Sequence, residues 1–285
     1  MESGTRQRAL VVQAAAMSDP IGLGQAAVLG ALQGATEFLP ISSDGHLAIG
    51  AMLFGTTEMP LAFVVMLHAG TLLATLLAFR KDVAQLGVGL LRGLREPRAW
   101  LRTDDGWLAL TVVVASVPTA IVGLALEDTV EAWADVKWIV GVCLLGSAAA
   151  VGVTSIARAR SERLSLGAAC VLGVAQGLAV LPGLSRSGST IACAMLLGLG
   201  GPAAFRLSFL LSLPAVGGAV LLKALDREAL AGLGAQAALG AVVAFVVGLA
   251  AIWAVRETVS RGKLWLFALY LVPLGLGLVL WQLTS

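Results

Sequence analysis

A carboxylate, two hydroxyls, a second carboxylate and an imidazole fall within residues 37–47, EFLPISSDGHL: Glu37, Ser42, Ser43, Asp44 and His46. Gln33 precedes Glu37 by four positions, so the two share one face of a helix. A second stretch, PGLSRSGST at 182–190, sets Ser185, Arg186, Ser187, Ser189 and Thr190 around two glycines. Glycine lets backbone N–H groups turn inward, and the hydroxyls donate hydrogen bonds. Arg186 presents a planar fork that matches phosphate oxygens. Thr190 opens a helical segment whose N-terminus also favours an anion. The second stretch therefore reads as an anion cradle. The first offers a carboxylate, a nucleophile and a proton carrier. Together they point to phosphate chemistry.

The rest of the chain says where that chemistry takes place. Of 285 residues, 58% are hydrophobic and only 13% charged, and the mean hydropathy is +0.92. An average soluble domain carries about 25% charged residues, so lipid rather than water is the main solvent. A net charge of +2 is too small to suggest nucleic acid, and no nucleic-acid-binding motif is present. Cys143, Cys170 and Cys193 stand singly in apolar runs and read as small packing residues, not as a disulfide framework or zinc site. His68, in an apolar run with Thr71 as its nearby polar residue, reads as a histidine hydrogen-bonded within a helical bundle.

A span needs about 20 mostly apolar residues. Six stretches qualify: 60–79, 106–125, 137–157, 203–222, 235–255 and 264–283. Arginines interleave with apolar residues over 80–105, predicting an amphipathic segment along the membrane surface. Two further apolar stretches, 21–55 and 165–200, are each broken by Pro, Gly and Ser at the reactive motifs. Irregular backbone at membrane depth is tolerated only where protein or a water-filled cavity surrounds it. Both are expected to be re-entrant helical hairpins with their polar tips buried.

The two halves also resemble each other. LGALQGATEFLP (29–40) matches LGVAQGLAVLP (172–182), which places Gln176 143 positions after Gln33. FVVMLHAG (63–70) matches FLLSLPAVG (209–217). The expected architecture is an all-α polytopic membrane protein with two inverted repeats, 17–160 and 161–285. Each repeat is a re-entrant hairpin followed by three transmembrane helices, with the hairpins meeting near the midplane. Residues 1–16 are expected to be a variable N-terminal extension. Lys and Arg number twelve over 80–105, 157–163 and 256–263, against five on the opposite side. The richer side is expected to be cytoplasmic, so that both termini and the mouth of the first hairpin face outward.

QGATEFLPISSDGHL together with LPGLSRSGST resembles the undecaprenyl-diphosphate phosphatase family associated with bacitracin resistance. The likeness runs over nearly the whole chain from Met17 and includes LSFLLSLP at 207–214. It implies hydrolysis of undecaprenyl diphosphate to the monophosphate carrier and inorganic phosphate. That reaction would take place at the outer face of a bacterial cytoplasmic membrane, recycling the carrier for peptidoglycan synthesis. It also implies dependence on a divalent cation, Mg²⁺ or Ca²⁺, and a polyprenyl diphosphate as the partner. The residues it marks are Gln33, Glu37, Ser43, His46, Ser185, Arg186, Ser187 and Thr190. Arg186 and the residues of 185–190 would hold phosphate, and Glu37 with Gln33 would bind the cation. Ser43 would be the nucleophile and His46 the general base; His46 itself, or metal-bound water, are alternative nucleophiles. Asp44 departs from the family's usual Thr, and Gln33 stands where Glu is the other family choice. The rival reading is a flippase of undecaprenyl phosphate, since broken helices in inverted repeats also build carriers. Homodimer formation is left open.

Overall fold

The computed structural model describes residues 21–55, 59–133, 136–225 and 234–284. The extension expected at 1–16 lies outside them. Among the described residues the fold is helical, without a strand. Six helices are long and apolar enough to cross a membrane: Leu61–Ala78, Asp104–Ala125, Lys137–Ile156, Gly201–Lys223, Ala235–Ser260 and Leu264–Trp281. They match the six expected spans closely. The chain is a multi-pass membrane protein, and its outer surface suits lipid: Leu124, Leu222, Val242, Trp253 and Leu269 are all exposed.

In chain order, α1 (Leu23–Thr36) and α2 (Ser43–Leu53) form a helix–turn–helix, followed by α3 (Leu61–Ala78). The arginine-rich stretch forms α4 (Arg80–Arg95) and a short α5 (Ala99–Arg102), which lead into α6 (Asp104–Ala125). After α7 (Glu127–Trp133), α8 (Lys137–Val153) closes the first half. The second half runs through α9 (Leu166–Leu178), α10 (Arg186–Leu196), α11 (Gly201–Leu225), α12 (Ala235–Ser260) and α13 (Ala268–Thr284).

Small residues decide which helices meet. Lipid tails provide no hydrophobic drive between helices, so close backbone approach has to supply the attraction. Gly30 and Gly34 of α1 sit directly against α12: a Cβ at Gly30 would meet the Gly240 carbonyl oxygen at 2.4 Å, and one at Gly34 the Ala244 oxygen at 2.5 Å. Gly173 and Gly177 of α9 meet α6 in the same way, at the Ala115 oxygen (2.1 Å) and the Val122 side chain (2.6 Å). The pairings follow one exchange rule. α1 packs on α12 as α9 packs on α6, α3 on α12 as α11 on α6, while α3 meets α11 and α8 meets α13.

Candidate active site

The breaks between α1 and α2 and between α9 and α10 bring the two polar tips together. Gly183 has φ +97°, and a Cβ there would lie 2.4 Å from the Val140 carbonyl oxygen, so the second tip needs glycine at this point. Gly188 packs on Pro40 of the first tip. Ser187 donates to the Leu39 carbonyl (3.3 Å). Phe38 stacks on Phe209 of α11, with ring centroids 5.7 Å apart. These contacts anchor the residue next to Glu37.

Glu37 is at the centre of the site. Its side chain is 5% exposed and its carboxylate is fully engaged. Arg186 donates to one oxygen. The other accepts from Gln33 Nε2 (2.9 Å) and Ser43 Oγ (2.8 Å). A carboxylate at this depth is costly unless paired and hydrogen-bonded, and here it is both. A cavity of about 330 Å³ opens over this cluster. Glu37, Ser43, Asp44, His68, Ser185 and Arg186 form its polar end; Val64, Val180, Val216 and Val220 line an apolar flank, and Lys223 also borders it.

The expected site residues divide into two groups. Gln33, Glu37, Ser43 and Arg186 are joined by direct hydrogen bonds. Ser185 also lines the cavity, and its hydroxyl caps α10 by accepting from Gly188 N (3.1 Å). Ser187 and Thr190 are spent on protein partners, Ser187 on the Leu39 carbonyl of the first tip. Thr190 lies on the Arg186 carbonyl (2.7 Å) and on Ser208 Oγ (2.5 Å); neither residue lines the cavity.

His46 is not placed where a general base beside Ser43 is expected. Its Nδ1 lies 2.7 Å from the Ser42 carbonyl oxygen. A carbonyl can only accept, so Nδ1 carries the proton. Nε2 then accepts from the Tyr270 hydroxyl at 2.7 Å. Both ring nitrogens are committed, and His46 does not line the cavity. Its bond to Ser42 has a local purpose. Ser42 has φ +71°, the one non-glycine residue with positive φ among those described, a conformation most side chains avoid. His46 and Tyr270 hold the carbonyl of this turn, and the turn presents Ser43.

His68 is the imidazole that the sequence pattern does not single out. Its Nδ1 is held by the Val64 carbonyl (3.0 Å), which leaves Nε2 facing Glu37 Oε2 at 3.8 Å and Asp44 Oδ1 at 4.0 Å. The available signal was its place four residues after Val64 on a helix that must pass the first tip. Nothing local in the sequence shows which face of that helix the tip meets.

Among the described residues no group of three or more His, Cys, Asp and Glu is arranged to hold a metal ion. Gln33 Oε1, buried beside Glu37, has no hydrogen-bond partner among the described residues. An oxygen left in that state suits a hard cation.

The model of the bacitracin resistance protein BacA family matches residues 26–277. The undecaprenyl-diphosphatase of Desulfosudis oleivorans is 44% identical over 267 residues, which cover 90% of this chain and 97% of that protein. The protein of the same name from Desulforapulum autotrophicum is 40% identical, over 89% and 96% of the two chains. The one from Korarchaeum cryptofilum is 39% identical, over 90% and 98%.

Proposed function

The chain belongs to the bacitracin resistance protein BacA family, and on that premise we propose that it is an undecaprenyl-diphosphatase, releasing inorganic phosphate from undecaprenyl diphosphate. The observation that carries the reading is the Ser43–Glu37–Arg186 constellation at the base of a half-apolar cavity. A prenyl diphosphate needs lipid for its tail and polar groups for its head. This cavity offers both.

The chemistry follows from the contacts. Ser43 Oγ forms a bond to the terminal phosphorus as its proton passes to Glu37 Oε2, the oxygen it already faces. The anhydride bond breaks, and the prenyl monophosphate leaves with that proton. His68 Nε2, next to the same carboxylate oxygen, is the group placed to carry protons between Glu37 and the cavity, in preference to His46. Arg186, with N–H groups beyond the one on Glu37, stabilises charge on the transferred phosphoryl group. Water then releases phosphate from Ser43. Glu37 and Gln33 Oε1 are the groups that would hold Mg²⁺ or Ca²⁺. When bound, the cation would neutralise phosphate charge.

The exchange rule among helix pairs supports two inverted repeats, 17–160 and 161–285, with the pairs α1–α2 and α9–α10 as re-entrant hairpins. The cavity is lined by the C-terminal halves of α6 and α11 and the N-terminal half of α3. In the six-span topology these lie on the side poor in Lys and Arg, which supports an active site facing outward. A flippase is less favoured, because a carrier has no use for a hydroxyl held against a buried carboxylate. The test is phosphate release from undecaprenyl diphosphate by the purified protein, with and without chelator. Release that chelator abolishes is expected; no release in the presence of Mg²⁺ or Ca²⁺ would overturn the assignment.

A further inference from the structure

We infer that Gln176, on the second hairpin, positions the water that attacks phosphorus. The inference rests on the phosphatase reading. Gln176 is 2% exposed and lines the same cavity as Glu37, Ser43 and Arg186. Its Nε2 donates to the Leu211 carbonyl at 3.1 Å. That bond fixes the orientation of the amide, since a flipped group would set oxygen against oxygen. Oε1 is therefore the free end, and no described protein group donates to it. A buried acceptor without a partner costs about 1–3 kcal/mol, so this position calls for a donor.

Besides the cation, whose expected ligands are Glu37 and Gln33, the reaction brings three things into the cavity. The prenyl tail has no donor. Ionised phosphate oxygens only accept, so Oε1 repels them. Water, the co-substrate, donates twice. One amide oxygen thus sorts the two polar reactants: phosphate is drawn to Arg186 and water to Gln176. Gln33, its counterpart in the first half, also has an unpaired Oε1, but its Nε2 is spent on Glu37 and it does not line the cavity. Equivalent amides therefore serve different reactants. In the second step the water oxygen bonds to phosphorus and the bond from phosphorus to Ser43 Oγ breaks. The water proton passes by way of Glu37 to Ser43 Oγ, leaving inorganic phosphate and a free serine.

The test uses the full-length protein in detergent with undecaprenyl diphosphate, and methanol as a competing acceptor. Gln176→Leu should lower kcat by about tenfold, the equivalent of one hydrogen bond, with KM unchanged. It should also raise the ratio of methyl phosphate to inorganic phosphate, because water loses its dedicated partner. Gln176→Glu, protonated at this depth, keeps both a donor to Leu211 and an acceptor, and should restore kcat and the preference for water. A packing role would lower thermal stability without moving the product ratio. A folded Gln176→Leu protein with an unchanged ratio overturns the inference. So does an unchanged ratio with a raised cation requirement, which would assign Oε1 to the cation. Failure of the unmodified protein to release phosphate would instead remove the phosphatase reading, and the inference with it.

Discussion

Glu37 accepts from Gln33, Ser43 and Arg186 at once, and of these donors Arg186 is the one that also brings charge. Arg186→Lys keeps the charge but loses the planar fork. Phosphate release should fall by about 10²–10³-fold, as when other preorganised transition-state contacts are removed, with the melting temperature in detergent little changed. The two histidines should separate cleanly. His68→Gln removes the imidazole that faces Glu37 and Asp44, and kcat should drop while the fold persists. His46→Gln disturbs the turn at Ser42, so it should lower thermal stability together with activity. Tyr270→Phe, which removes only the outer hydrogen bond, should reproduce a milder form of the His46 effect and none of the His68 effect. Steady-state rates read beside thermal melts decide among these. A His68→Gln protein with unmodified turnover would take His68 out of the mechanism.

At the scale of elements, the crossings of α1 on α12 and of α9 on α6 depend on glycines that face backbone. A Cβ at Gly173 would meet the Ala115 oxygen at 2.1 Å, whereas at Gly167, on the same helix, nothing lies within 4 Å. Gly173→Ala should therefore destabilise the protein by about 1–3 kcal/mol, the usual cost of overpacking, and Gly167→Ala should not. The shift in melting temperature between the two measures the crossing alone. These elements were largely legible in the sequence. Uninterrupted apolar runs mark the six spans, and Pro, Gly and Ser in the middle of the other two runs mark the breaks. The pairing of Glu37 with Arg186 was legible only because both motifs were polar exceptions in apolar surroundings. The separation of His46 from His68 was not. It depends on where α2 and α3 turn their faces, and that is set by Tyr270 and Val64, whose roles no local spacing reveals. Gln176 was visible as the counterpart of Gln33, but its free oxygen is a property of the Leu211 carbonyl opposite.

For the whole molecule, the two halves pair by exchange and the cavity lies toward one end of the bundle. That end carries α7, with Glu127 and Asp128 in its first turn, and the C-terminal end of α11 with Lys223. The other end carries α4, whose last turn holds Arg92 and Arg95. In the sequence, the connections expected on the α4 side carry twelve Lys and Arg and those expected on the opposite side five. Basic residues near span ends are retained in the cytoplasm, so the cavity should open outward. In a background with Cys143, Cys170 and Cys193 replaced by Ala, a membrane-impermeant thiol reagent added to intact cells should label a cysteine at Asp128. A cysteine at Arg95 should react only after the membrane is permeabilised. The two sites control for each other, since either one alone can fail to react through burial. Asp128 dark and Arg95 bright in intact cells would invert the topology. The diphosphate would then be hydrolysed on the cytoplasmic side, and the product carrier would be delivered there without crossing the bilayer.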